Sequence, residues 1–189
     1  QDIETFRAQL PAGYQLEEKG AVAEAAKGNT SVYAVLPVTL VVMLLLLMIQ
    51  LRRISRTLIS VLMAPFGLIG IVLAMLPTGT PMGFVALLGI IALAGMIIRN
   101  AVILIEEVDS NVAAGQGRDE AIVNAARHRS RPIVLTACAA ILGMLPIAGQ
   151  VFWGPMAFAI IGGLAVATVL TLTLLPVALS LLMEREGIH

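Results

Sequence analysis

The sequence is short of charged, aromatic and cysteine residues. Of its 189 residues, 13% are charged and 4% are aromatic, whereas 59% are hydrophobic. A typical soluble domain is about 25% charged, so this composition excludes a disordered chain and an ordinary soluble enzyme. The 12 basic and 12 acidic residues balance. The chain therefore has no net attraction to a polyanion, and no nucleic-acid partner is expected.

Motifs for metal binding, disulfide formation and catalysis are also missing. Cys138 is the single cysteine, so no disulfide can form within the chain. It does not make a metal site with the two scattered histidines, and no Walker loop, catalytic triad or glycine-rich dinucleotide loop occurs. We therefore predict that the chain is not an enzyme and that it binds no metal and no cofactor.

The sequence does contain five long apolar runs. A membrane-spanning helix needs about 20 apolar residues, and continuous rather than alternating runs favour helices over strands. The predicted fold is all-α, a polytopic transmembrane helix bundle, with kinks where prolines interrupt the second, fourth and fifth runs. The predicted spans are Val32–Ile49, Leu58–Leu76, Met82–Ile105, Pro132–Ala148 and Met156–Met183.

Two polar segments differ from these runs. Residues 1–31 are polar and contain Pro11 and three glycines. They are predicted to be the end of an extramembrane domain, with residues 32–189 as the transmembrane domain. Gln116–Arg131 carries acidic residues in its first turn and arginines in its last. This pattern suits the helix dipole. It predicts a short cytoplasmic helix at the membrane interface.

Basic residues are distributed unevenly between the two sides of the predicted bundle. Arg7, Lys19 and Lys27 fall on one side. The positive-inside rule places the more basic side in the cytoplasm, so the N-terminus is expected outside and the C-terminus inside. The arginines on the cytoplasmic side are Arg52, Arg53, Arg56, Arg118, Arg127, Arg129, Arg131 and Arg185.

Arg99 is a charge inside an apolar run. Insertion scales give a cost of about 2.5–3.5 kcal/mol for an arginine at the centre of a span, and such charges are usually paired within the protein. The other four runs contain no acidic residue. A partner for Arg99 is therefore expected from a segment outside this chain. The alternative is that its long side chain reaches the lipid head groups.

Three further polar residues are candidates for the same site. Asn100 follows Arg99 directly, and Thr136 lies in the fourth span. Either side chain can form hydrogen bonds across helices, although a threonine often bonds to its own helix backbone. Arg131 precedes Pro132 at the membrane boundary, where a positive charge can tune proton access.

Residues 95–106, which contain Arg99 and Asn100, resemble the tenth transmembrane helix of the resistance–nodulation–division (RND) exporters. Leu10–Tyr14 resembles the end of that family's second large periplasmic region. The resemblance covers essentially the whole chain, which corresponds to helices eight to twelve of twelve. Further segments that carry it are Ala64–Gly67, Asp119–Ala121, Arg129–Thr136 and Gly143–Pro146.

The resemblance implies the C-terminal membrane half of a proton-driven multidrug exporter in the bacterial inner membrane, with its N-terminus in the periplasm. The family's proton relay consists of two aspartates on helix four, a lysine on helix ten and a threonine on helix eleven. Arg99 occupies the lysine position, Thr136 the threonine position, and Asn100 lies beside them; Arg131 matches a basic residue implicated in proton uptake. Because arginine stays charged, Arg99 is expected to be a counter-charge and not a proton donor.

The resemblance also implies partners. These are the N-terminal half of the transporter with its aspartate pair, two further copies in a homotrimer, a periplasmic adaptor, an outer-membrane channel and the lipid bilayer. Two alternatives stay open. One is a related proton-coupled exporter of lipid, metal or protein, and the other is a truncated membrane fragment that does not transport.

Overall fold

The structure, a computed structural model, describes residues 21–80 and 82–186, with side chains from residue 25 onwards. Arg7, Leu10–Tyr14, Lys19 and the two ends of the chain lie outside these residues. Within them the chain forms α-helices and no β-strand. The helices are α1 (Ala21–Leu51), α2 (Ile54–Leu62), α3 (Phe66–Thr78), α4 (Phe84–Ala113), α5 (Arg118–Ala148) and α6 (Gly154–Arg185).

Five segments of the described chain are long and apolar enough to cross a membrane. Each corresponds to one predicted span, which confirms the all-α transmembrane bundle. The segments are Ala25–Leu51, Ile54–Thr78, Phe84–Ala113, Arg118–Ala148 and Gly154–Arg185.

The second span is divided into two helices at Pro65. Pro65 has no amide hydrogen, so it cannot donate the hydrogen bond that a continuous helix would form at its position. The Phe66 amide instead donates to the Met63 carbonyl at 3.2 Å, and the Gly67 amide donates to the Ala64 carbonyl at 3.0 Å. These tighter bonds, each closing over three residues, form a turn between α2 and α3. The predicted kink at this proline is therefore a break.

The predicted interfacial helix is continuous with the fourth span. Both belong to α5, a single helix of 31 residues that passes through Pro132 and Pro146. Its N-terminal part lies against α4, where the Asn111 side-chain amide donates to the Ala121 carbonyl at 3.2 Å. Ala121 and Ala125 are fully buried there. The apolar face of this segment is therefore covered by α4 and not by lipid.

Helix α6 forms the centre of the bundle and packs against α3, α4 and α5. Its approach to α3 is closest at two glycines. A Cβ atom added to Gly70 would collide with the Gly162 carbonyl oxygen, and one added to Gly162 would collide with the Ala74 side chain. Small residues allow such backbone contact between membrane helices.

Helix α1 lies at the edge of the bundle, where it contacts α4 and α2. In its most hydrophobic window 0% of the residues are buried, compared with 50% in α4. Most of the α1 surface is therefore available to lipid or to another protein segment.

Candidate functional site

Arg99 lies on α4 with an exposed side chain. It lines a groove of about 780 Å³ between α1 and α4, whose other walls include Val42, Leu46 and Ile98. No hydrogen bond or ion pair joins Arg99 to another residue in the described part of the chain. The groove therefore presents an uncompensated cation among apolar side chains.

Glu106 is the acidic residue that shares this groove with Arg99. It follows Arg99 by about two helical turns, which separates the two along the axis. The Gln50 side-chain amide of α1 donates a hydrogen bond to the Glu106 carboxylate. Glu106 is therefore held by a neutral partner at the groove's end and does not neutralise Arg99.

The other relay candidates lie on different surfaces. Asn100 is 5% exposed and belongs to the buried interior, because consecutive helical residues point about 100° apart. Thr136 is exposed on α5, and its hydroxyl donates to the Ile133 carbonyl of its own helix at 2.9 Å. No hydrogen bond within the described residues joins Arg99, Asn100 and Thr136 to one another.

Arg131 is exposed on α5 and forms no ion pair with the part of the chain that the structure describes. Its neighbour Arg129 does form one. The Nε and Nη2 atoms of Arg129 contact the same Glu107 oxygen at 2.9 and 2.5 Å. Arg129 therefore holds the N-terminal part of α5 on α4, and Arg131 keeps its charge available.

A second cavity, of about 520 Å³, lies where α1 turns into α2. We call it the arginine cavity. Sequence reasoning missed it, although an acidic run at 106–109 and an arginine cluster at 52–56 carry complementary charge. Its lining residues are Gln50, Leu51, Arg52, Arg53, Arg56, Glu106, Asp109, Val112 and Ala113.

Two ion pairs organise the arginine cavity. Arg53 binds Glu186, the residue that follows α6, at 2.7 Å, and Arg56 binds Asp109 of α4. The Arg56 side chain is only 4% exposed, and its Nε atom is buried without a hydrogen-bond partner. Arg52 takes a left-handed backbone conformation with φ = 52°, which reverses the chain between the two helices.

Comparison with known proteins identifies the family. The sequence profile of the AcrB/AcrD/AcrF family matches residues 1–183. The cobalt-zinc-cadmium resistance protein CzcA of Cupriavidus metallidurans is 32% identical over 182 residues, which cover 94% of this chain and 17% of CzcA. The swarming motility protein SwrC of Bacillus subtilis is 28% identical over 178 residues, covering 91% of this chain and 17% of SwrC.

Solved structures agree with this result. A crystal structure of a heavy metal efflux pump superimposes with a TM-score of 0.74 at 29% identity, covering 97% of this chain and 19% of that pump. The chain thus spans less than a fifth of the length of these relatives. Together with the five membrane-spanning segments, these matches show that the chain belongs to the AcrB/AcrD/AcrF family of RND efflux transporters.

Proposed function

We propose that this chain is the C-terminal membrane half of a proton-driven exporter, in which Arg99 is the fixed counter-charge of the proton relay. The observation that carries this proposal is the position of Arg99 in the groove between α1 and α4, where it has no ion-pair partner among the described residues. A cation at this depth is stabilised when carboxylates of another part of the protein face it. The segment that supplies them would be the transporter's N-terminal half, with its aspartate pair.

The electrostatics of such a site support coupling to protons. A nearby guanidinium favours the charged form of a carboxylate, and loss of the guanidinium favours the protonated form. Because a guanidinium group keeps its positive charge in proteins, proton binding and release would occur on the carboxylates. Arg99 would set the pH range in which they exchange protons.

Thr136, Asn100 and Arg131 have supporting roles in this proposal. The Thr136 hydroxyl donates to its own helix, yet its oxygen can still accept a hydrogen bond. Asn100 would link the buried interior to the Arg99 position. Arg131, exposed at the start of the span, would tune proton access at the cytoplasmic side.

The relatives favour a transition-metal cation as cargo over a drug. Proteins named for cobalt, zinc, cadmium and nickel resistance align over 94% of this chain at 30–32% identity, and a heavy metal efflux pump shares its fold. We therefore propose divalent metal export, in place of the multidrug export expected from the sequence. No group of three potential metal ligands occurs in the described residues, so the cargo site would lie elsewhere in the protein.

The proposed assembly follows the family. The full protein would form a homotrimer in the inner membrane and act with a periplasmic adaptor and an outer-membrane channel. The N-terminus of this chain would face the periplasm and the C-terminus the cytoplasm, as the distribution of arginines favours.

The relay proposal is tested by Arg99→Ala in the full-length transporter. We expect proton-driven efflux from inverted membrane vesicles to fall to background, because like-charged carboxylates would face each other without a counter-charge. Arg99→Lys should retain part of the activity, since it restores the charge but not the planar geometry. Ile103→Ala, which alters the same groove without removing a charge, is the matched control.

Near-normal efflux from Arg99→Ala at matched expression would contradict the relay role and support an anchor at the head groups. The cargo proposal needs a separate measurement. A strain that lacks its own metal exporters should gain resistance to cobalt, zinc or cadmium when it expresses the full protein. Resistance to dyes or antibiotics without resistance to metals would contradict metal export.

A further inference from the structure

The arginine cavity contains an incompletely bonded donor at the membrane boundary. The two flanking membrane-spanning segments end at Leu51 and begin at Ile54, so the Arg52–Arg53 turn lies at the bilayer surface. The buried Nε–H group of Arg56 has no acceptor in the described residues, and buried donors nearly always have one. The Nε atom itself has almost no exposed surface, whereas the Arg52 side chain is exposed and lines the cavity of about 520 Å³, so Arg52 is the donor that an external acceptor can reach.

The charges of the cavity do not all cancel in pairs. Arg53 and Glu186 neutralise each other, as do Arg56 and Asp109. Arg52 forms no ion pair with the described residues, and Glu106 is bound by the neutral Gln50 amide. One positive and one negative charge remain, both on side chains that line the cavity.

We propose that the arginine cavity binds the head group of an aminophospholipid, a phosphodiester with a primary ammonium group. The phosphate oxygens accept hydrogen bonds from the exposed Arg52 side chain, which lines the cavity. The ammonium group donates to Glu106. Such charge-assisted bonds are stronger than neutral ones, and basic pockets at the ends of membrane helices are known to suit lipid head groups.

The surroundings favour a bilayer lipid over a soluble phosphate compound. Ile49 and Ile54, on either side of the arginine turn, are 73% and 70% exposed. Acyl chains covering these side chains would remove apolar surface from water. A soluble ligand with the same head group lacks that contribution.

The remaining charges distinguish among lipids. An anionic lipid without an ammonium group satisfies Arg52 but places a negative charge near an uncompensated Glu106. A choline lipid carries a quaternary ammonium group, which cannot donate a hydrogen bond to Glu106. Phosphatidylethanolamine satisfies both charges and is the preferred ligand.

The proposal is tested by native mass spectrometry of the detergent-purified full-length transporter. Phosphatidylethanolamine, phosphatidylglycerol and phosphatidylcholine are added at equal concentrations, and the retained fraction of each lipid is measured. We expect phosphatidylethanolamine to be retained most. Arg52→Gln should lower its retention about tenfold, since a charge-assisted hydrogen bond is lost, whereas Arg52→Lys should largely preserve it.

Glu106→Gln provides the sharper result. It removes the acidic charge, so it should lower the retained fraction of phosphatidylethanolamine and raise that of phosphatidylglycerol. The order of the two lipids is then reversed. Arg127→Gln, on an exposed arginine outside the cavity, should change neither. Soluble phosphoethanolamine should compete poorly with the lipid.

Three outcomes would overturn the proposal: equal retention of the three lipids, unchanged retention in both Arg52→Gln and Glu106→Gln, or competition by phosphoethanolamine as effective as by the lipid. None of these depends on the transport assay. Failure of the lipid proposal is therefore distinguishable from failure of the proposed transport function.

Discussion

Arg129 binds a single oxygen of Glu107 through two of its nitrogens, at 2.9 and 2.5 Å. This contact joins α5 to α4 near the end of the membrane-spanning part of α4. His128 Nδ1 lies 3.8 Å from the other Glu107 oxygen. The carboxylate therefore lies between two basic side chains of one helix, and it determines where the N-terminal part of α5 rests.

Replacing Arg129 with glutamine should destabilise the protein only slightly. The Arg129 side chain is 41% exposed, and ion pairs exposed to solvent contribute at most about 1 kcal/mol. We expect a small decrease in the unfolding temperature of the detergent-purified transporter. Arg127→Gln is the control. A decrease in unfolding temperature as large as that caused by a large-to-small substitution in the core would contradict this prediction. The Arg129–Glu107 pair would then contribute more stability than its exposure indicates.

Breaking the Arg56–Asp109 pair should lower the stability of the protein more than breaking the Arg129–Glu107 pair does. Asp109→Asn leaves the Arg56 guanidinium, 4% exposed, without its counter-charge. Loss of one partner of a buried pair costs about 3–5 kcal/mol, and we expect the lower part of this range because Asp109 is 34% exposed. The measurement is thermal unfolding of the full-length protein.

The double variant Arg56→Met, Asp109→Leu checks the cause of that loss. Replacing both charges by apolar groups of similar size removes the unpaired charge, so much of the stability should return. If the double variant is no more stable than Asp109→Asn, the loss does not arise from an uncompensated Arg56.

Gly162→Ala should separate α3 from α6. The added Cβ would collide with the Ala74 side chain and the Gly70 carbonyl oxygen, and overpacking of this kind costs about 1–3 kcal/mol. Gly143→Ala is the matched control, because nothing lies within 4 Å of a Cβ at that position. Equal unfolding temperatures for the two variants would contradict the close contact.

Helix α5 should place its two ends on opposite sides of the membrane. Ala114 and Gln150 lie in the loops before and after it, and both are exposed. Ala114 is preferable to Gly115, whose φ of 92° disfavours a cysteine side chain. With Cys138 replaced by serine, a membrane-impermeant thiol reagent applied from the periplasm should label Gln150→Cys and not Ala114→Cys. The reverse pattern would invert the proposed topology.

The sequence predicts the membrane-spanning segments well because hydropathy depends on composition and run length alone. The run at 58–76, for example, lies within the segment Ile54–Thr78. Helix ends were less predictable. Proline disfavours a helix interior, yet α5 continues through Pro132, and nothing in the residues at 116–131 indicates this.

The site was predictable only in part. A charge in an apolar run marks Arg99 directly, but the sequence does not reveal that its side chain faces the groove beside α1. The distribution of basic residues places Arg56 on the cytoplasmic side but does not reveal its burial against Asp109. That burial depends on how α2 is rotated against α4. Long-range pairs of this kind follow from tertiary packing and not from local sequence.

The contact between Gly70 and Gly162 also constrains motion. No side chain separates α3 from α6 at this contact. If α3 slid along α6, a carbonyl group would collide with the opposing backbone, so the two helices are expected to move as one rigid unit. Among the described residues helix α1 is less tightly held, because 0% of its most hydrophobic window is buried. Displacement of α1 against the rigid α3–α6 pair would therefore widen or narrow the groove around Arg99, which α1 and α4 line together.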